Sequence, residues 1–173
     1  AERDPLTGLL NRRGIANQYA NLFRRGFTTF ALIDLDHFKA INDQFGHHVG
    51  DEALVATASA LAPDEDTMAV RLGGEEFMLV LRGPDAILRA ERRRRAITAR
   101  ITDTVPQMDR LVTASMGVVE APCESAEGLP FEVLYLRADK LLYQAKSEGR
   151  NRYLRETLAF HEPPGDDKQA CAA

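Results

Sequence analysis

Two acidic points in this chain have the residue types and surroundings to do chemistry. Asp34-Leu35-Asp36 closes a run of β-branched and aromatic residues, and Glu75-Glu76 directly follows the Gly73-Gly74 pair. If the strands that carry them pair, carboxylates from both converge where hard oxygen donors and substrate phosphates together suit one or two Mg²⁺ ions. That is the chemistry of phosphoryl transfer. Either cluster alone is equally what a strand end facing water looks like, so convergence is the condition that makes a site.

The elements that must position these groups follow from periodicity. Ile15, Tyr19, Leu22 and Phe23 recur at helical spacing before Gly26, which predicts a first amphipathic helix. Phe27 to Asp34 reads as a strand that puts Asp34 at its C-terminal end. Phe38, Ile41 and Phe45 mark one face of a short helix, with Lys39 and Asn42 together on another. Gly46-His47-His48-Val49-Gly50 is read as a break, and Asp51-Glu52 as the opening of a helix whose core face is Leu54, Val55, Ala58 and Leu61. Met68 to Leu81 is two apolar runs about a Gly-Gly turn, a hairpin with Glu75 at or just after the turn. Gly83-Pro84-Asp85 starts a basic helix, Leu111 to Val119 reads as a strand, and Phe131 to Glu148 as a helix with Leu134, Ala138, Leu141, Leu142 and Ala145 on one side. The order β-α-α-β-β-α-β-α, with an antiparallel hairpin among helix-linked strands, predicts an α/β (α+β) sandwich of the ferredoxin-like kind. Its mostly antiparallel central sheet is flanked by helices. One domain over residues 1–155 is expected, with 156–173 a disordered tail containing Pro163-Pro164-Gly165-Asp166-Asp167.

Composition bounds the function classes. With 173 residues, 45% hydrophobic and 28% charged, the chain has the makeup of one folded domain rather than of a disordered, collagenous or disulfide-stapled one. Twenty-two basic and 26 acidic side chains leave a net charge of −4, so nothing in the overall balance favours nucleic acid or anionic lipid. Contact with nucleic acid or membrane is not expected. Cys123 in a Pro/Glu/Ser stretch and Cys171 in the last three residues have no zinc-ligand spacing, which suits a reducing, cytoplasmic setting. A start without Met leads to the expectation of a piece of a longer protein with a sensor or regulatory domain upstream. Arg89 and Arg92 to Arg95 spread over several faces of one helix and read as a solvated, ion-paired surface.

The motifs together resemble the GGDEF family, the diguanylate cyclases. The resemblance is carried by Asp4-Pro5-Leu6-Thr7-Gly8-Leu9 with Asn11-Arg12, by Asp34-Leu35-Asp36-His37-Phe38-Lys39 with Ile41-Asn42-Asp43, and by Phe45-Gly46-His47 with Gly50-Asp51. Arg71 with Gly73-Gly74-Glu75-Glu76-Phe77, Ala138-Asp139, Tyr143-Gln144-Ala145-Lys146 and Gly149-Arg150-Asn151 complete it. The motifs occur in the family's order from Asp4 to Tyr153, which is far more specific than a lone Gly-Gly-acid-acid turn.

The resemblance implies a nucleotidyl-cyclase-like fold and an enzyme that joins two GTP molecules into cyclic di-GMP with release of two pyrophosphates, its active site formed between two protomers of a homodimer. It implies Asp34 and Glu75 as side-chain metal ligands, the Leu35 carbonyl as a backbone ligand, and Glu76 as a further catalytic acid. The expected ion is Mg²⁺, with Mn²⁺ as the alternative. Asn42 and Asp51 match the base-reading positions, and an amide with a carboxylate acceptor suits the N1–H and N2–H₂ donors of guanine. Lys146 and Arg150 match the triphosphate-binding cations, with Lys39 a third, while Gly73 and Gly74 let backbone approach the nucleotide. Phe38 and His47 fall in the same substrate-binding stretch, His47 as a packing or capping group. Arg71 either binds nucleotide or pairs with a neighbouring carboxylate. One departure concerns regulation: many members carry Arg-x-x-Asp where this chain has Asp64-Glu65-Asp66-Thr67, so a product-inhibition site at Asp64 and Thr67 is expected to be lost. The other reading is a catalytically inert relative that binds GTP or cyclic di-GMP as a signalling module.

Overall fold

The computed structural model describes residues 1–121 and 128–158. Both cysteines and most of the expected tail lie outside the described residues. Ten elements follow in order: α1 (Arg12–Leu22), β1 (Phe27–Leu35), α2 (Phe38–Phe45), α3 (His47–Leu61), β2 (Thr67–Gly73), β3 (Glu76–Arg82), α4 (Ala86–Thr104), β4 (Ala114–Glu120), α5 (Phe131–Ser147) and β5 (Tyr153–Thr157). The sheet order is β2-β3-β1-β4-β5, antiparallel except for the β4–β5 pair. β1–α2–α3–β2 and β3–α4–β4 each leap over one strand, which is the split βαβ pairing of a ferredoxin-like α+β sandwich.

Alternation along the strands builds two cores. Ile33, Leu35, Phe77 and Leu79 face α2, α3 and α4, while Phe30, Leu32, Met78 and Val80 face α1 and α5. The apolar residues of β1 on both faces are buried because β1 sits mid-sheet under helices on either side. The free edge of β2 is covered by the N-terminal segment, through a Leu10–Val70 bridge and a 2.8 Å bond from the Arg71 amide to the Leu10 carbonyl. Among the described residues no helix is long and apolar enough to cross a membrane.

Several boundaries differ from the sequence reading. The strand β5 was not expected: its mixed residues Tyr153-Leu-Arg-Glu-Thr157 look polar because it is an edge, yet it pairs with β4 and leads to the buried Leu158. Residue 155 therefore falls inside a strand. The break between α2 and α3 is Gly46 alone, at φ +87°, so α3 already begins at His47 and Asp51 lies in its second turn. β4 starts at Ala114, leaving Leu111 exposed. In the arginine run, Arg94 is buried rather than solvated, paired at 2.6 Å with the equally buried Glu91, whereas Arg95 is exposed.

Gly117 in β4 sets how closely α5 lies on the sheet. A Cβ there would collide with the Ala138 carbonyl and stand 2.7 Å from the Leu142 amide nitrogen and 2.9 Å from Leu141 Cβ. These neighbours are largely helix backbone and cannot yield by rotating a side chain. Gly117→Ala is expected to destabilise the domain by about 1–3 kcal/mol, the usual cost of overpacking, measured by chemical denaturation.

Candidate active site

The site forms at the end of the sheet where β1 finishes and the β2–β3 hairpin turns. Asp34 and Glu76 are direct partners across β1 and β3, so their side chains leave the same face of the sheet, toward α1 and α5. Between β2 and β3 the chain turns through Gly73 at φ +153° and Gly74 at φ +49°. A Cβ at either glycine would meet nothing within 4 Å, so within the chain their requirement is conformational, and the space before the turn is open.

Arg71 stiffens that turn. Its Nε and Nη2 donate to the Gly74 carbonyl at 3.1 and 3.0 Å, and Nη1 donates to both Asp4 carboxylate oxygens at 3.0 and 3.1 Å. Of its two expected roles, pairing with a neighbouring carboxylate is the one seen. Burial raises the Asp4 carboxyl, but bonds from the Thr7 hydroxyl and amide and from Arg71 outweigh it, and the group lies below its ordinary value.

Asp34 is the electrostatic centre. Its Oδ2 meets Lys146 Nζ at 3.0 Å, while Oδ1 is buried and accepts no hydrogen bond. Burial is the main cause that pushes its carboxyl up to about 6, against the pull of Lys146 and with added repulsion from Glu75 and Glu76. Glu76 is raised too, chiefly by burial. The Tyr135 hydroxyl donates to Glu76 Oε1 at 2.8 Å, and Arg12 stands 4.0 Å from the same oxygen.

Asp36 turns out to have a different task. It is 4% exposed and accepts from the Thr113 and Ser115 hydroxyls, each at 2.7 Å, and from the Asn151 amide at 3.1 Å. Those bonds hold the turn after α5, where Arg150 and Asn151 take left-handed φ values of +64° and +48°. Arg94 reaches the same turn from α4, donating to Asn151 Oδ1 at 3.0 Å. Asp36 thus positions the Arg150 turn, and of the two aspartates only Asp34 presents a free acceptor.

The expected base-reading residues lie on the other layer. Phe38 is buried in its core, while Lys39, His47 and Asp51 are exposed. The Asn42 side chain lies against Gly50, its Oδ1 buried without a partner, and a Cβ at Gly50 would collide with that oxygen. Gly50 is therefore what lets Asn42 sit flat on α3. Asp51 lines a groove of about 480 Å³ between α3 and α4, together with Leu6, Val55 and Arg100. Glu75 and Glu76 act on Asp34 electrostatically and Lys146 contacts it, so the acids and one cation come together around β1. Asn42 and Asp51 stand across the sheet end on α2 and α3. At the position of the lost product-binding motif, Asp64 pairs with Arg93 at 2.9 Å and Thr67 is fully buried. Asp64 lies below its ordinary value, chiefly because it accepts from the Asp66 amide.

Among the described residues no three acidic, His or Cys side chains gather closely enough to hold an ion unaided. The donors present still fit a divalent cation: a buried carboxylate oxygen without a protein donor, a second acid on the hairpin, and room for phosphate oxygens to complete the shell.

Residues 1–152 match the family model described as diguanylate cyclase, GGDEF domain. The chain belongs to the GGDEF family. It is 38% identical over 161 residues to the diguanylate cyclase VdcA of Vibrio cholerae, covering 87% of this chain and 46% of that protein. It is 39% identical over 162 residues to the response regulator PleD of Caulobacter vibrioides, covering 87% of this chain and 35% of that one. The chain thus spans less than half the length of these two relatives. Among solved structures, the GGDEF domain of DgcB from Caulobacter crescentus, in complex with c-di-GMP, superposes with a TM-score of 0.70 at 30% identity, covering 91% of this chain and 95% of that one. A sensory box/GGDEF family protein from the same species gives 0.70 at 36% identity, with 86% and 100% coverage. Fold, signature and relatives agree on a GGDEF domain.

The Asp34 environment predicts how stability depends on pH. The folded carboxyl keeps its proton up to about 6 while the unfolded one loses it at the ordinary lower value, so the folded state binds more protons between these points. Stability must fall as the pH rises through that window. Melting curves in EDTA, without nucleotide, are expected to show the native chain losing on the order of 2–3 kcal/mol relative to Asp34→Asn between acid and neutral pH. Parallel pH profiles would contradict this.

Proposed function

We propose that this GGDEF domain is a diguanylate cyclase that condenses two GTP molecules into cyclic di-GMP, with two protomers each presenting one nucleotide. The observation that carries the reading is Asp34: a buried carboxylate at a strand end, one oxygen on Lys146 and the other without a donor, beside an open Gly-Gly turn bearing two glutamates.

In this reading Asn42 and Asp51 take the guanine edge, and a mismatched base leaves the buried Asn42 amide oxygen and the Asp51 carboxylate unpaired, which favours GTP over ATP. The triphosphate lies across the sheet end toward α5. Lys146 and Arg150 neutralise its outer phosphates, and Lys39 approaches from α2. A divalent cation, Mg²⁺ or Mn²⁺, held by Asp34, the Leu35 carbonyl and Glu75 would offset triphosphate charge and favour ionisation of the attacking hydroxyl. Each 3′-oxygen forms a bond to the α-phosphorus of the other nucleotide. The bond from that phosphorus to the oxygen bridging to the β-phosphate breaks, and pyrophosphate leaves. The hydroxyl proton is taken by the hairpin carboxylates and passed to water. Because each nucleotide must meet its mate, turnover requires that two protomers face each other. Feedback by product at Asp64 and Thr67 is absent in this account, since Asp64 is an acid already paired with Arg93.

The test is pyrophosphate release from GTP and Mg²⁺ by the chain fused to a dimerising coiled coil, with the nucleotide product identified by chromatography. Cyclic di-GMP is expected, with Glu75→Gln lowering the rate on the order of a hundredfold or more. Nucleotide binding with no release above that variant would instead indicate an inert GTP or cyclic di-GMP receptor.

A further inference from the structure

We propose that Tyr135 is a positioning residue of this site: its hydroxyl, with Arg12 stacked on its ring, fixes the Glu76 carboxylate as the partner of the cation that Asp34 and Glu75 would hold. The inference rests on the cyclase reading for its chemistry and on the contacts of Tyr135 for its geometry.

Glu76 and Asp34 stand directly opposite each other on neighbouring strands, an arrangement that like charges normally destabilise. The fold tolerates it by giving each carboxylate its own donors. Asp34 has Lys146 at 3.0 Å, while Glu76 has the Tyr135 hydroxyl at 2.8 Å and Arg12 at 4.0 Å. Tyr135 and Lys146 belong to the same helix, α5, three helical turns apart, so one helix face supplies a donor to each acid. The phenol is held in advance. Its ring packs on the α1–α5 core beside Phe131, with centroids 6.4 Å apart, and the Arg12 guanidinium lies 5.2 Å from its centre.

A ring needed only for packing would be served by Phe. The hydroxyl is the added part, and its bond ends on the second glutamate of the signature. A carboxylate so held meets an incoming cation already oriented, whereas a free one spends part of its time turned away. Arg12, the first residue of α1, brings a second element to the same oxygen, so two helices converge on Glu76.

Tyr135→Phe keeps the ring and the Arg12 contact and removes one oxygen. With a non-hydrolysable α,β-methylene analogue of GTP bound, Mn²⁺ affinity, read from the paramagnetic resonance of free Mn²⁺, is expected to fall about tenfold. The melting temperature of the metal-free chain should fall by only about 2–4 °C, the cost of one half-buried hydrogen bond. In the dimerised chain kcat falls in parallel, while KM for GTP stays within about twofold. In a Glu76→Gln background the effect of Tyr135→Phe on Mn²⁺ should vanish, as it must if the phenol acts through that carboxylate. Unchanged or tighter Mn²⁺ binding in Tyr135→Phe, or an equal loss in the Glu76→Gln background, would overturn the proposal. Absence of turnover in the native dimer would overturn the cyclase reading, while the Mn²⁺ comparison would still decide the role of Tyr135.

Discussion

The ion pair between Asp34 and Lys146 is the interaction around which the rest of this molecule is arranged. A carboxylate at the buried end of a central strand is costly, and one ammonium relieves only part of that cost, as the raised carboxyl shows. Keeping that half-satisfied group in place demands a rigid β1, which the fold provides by burying it between two layers with a neighbour on either side. It also demands that α5 come close enough for Lys146 to reach, and Gly117, whose missing side chain lets the helix backbone settle on β4, meets that need.

Around this centre, charged residues do two kinds of work. Asp34, Lys146 and the two glutamates of the hairpin interact around the end of β1. Asp4, Asp36, Glu91, Arg71 and Arg94 are spent inside the protein: Arg71 ties the hairpin to Asp4, and Asp36 with Arg94 holds the Arg150 turn. Both that turn and the Gly73-Gly74 turn run through positive φ values. Left-handed φ at the non-glycine residues Arg150 and Asn151 persists only where the surroundings over-determine it, and here the bonds of Asn151 to Asp36 and Arg94 do so.

Much of this could be read from the residues themselves. Period-3.6 patterns located α1, α2 and α5, the Gly-Gly pair located the hairpin, and a run of β-branched and aromatic residues located β1 with Asp34 at its end. What stayed hidden was decided by partners distant in sequence. Asp34 and Asp36 are the same residue type two positions apart, and only the hydroxyls of Thr113 and Ser115 and the Asn151 amide make one structural. Arg94 lies in a run of four arginines, and its burial depends on Glu91 and on the turn at Asn151. β5 has no clear alternation because an edge strand beside a helix mixes apolar and charged residues, and it is specified by the register of β4. Tyr135 carried no signal either, since an aromatic at a half-buried helix position reads as core until its hydroxyl is seen on Glu76.

The central claim is that the unpaired oxygen of Asp34 is the protein's acceptor for a substrate-bound cation. The most direct measurement is anomalous diffraction from crystals of the chain grown with Mn²⁺ and the α,β-methylene analogue of GTP. The account predicts a manganese peak at coordination distance, about 2.2 Å, from Asp34 Oδ1, shared with the Leu35 carbonyl and the nucleotide phosphates. A nucleotide bound with manganese on its phosphates alone, and Asp34 Oδ1 still without a partner, would contradict it.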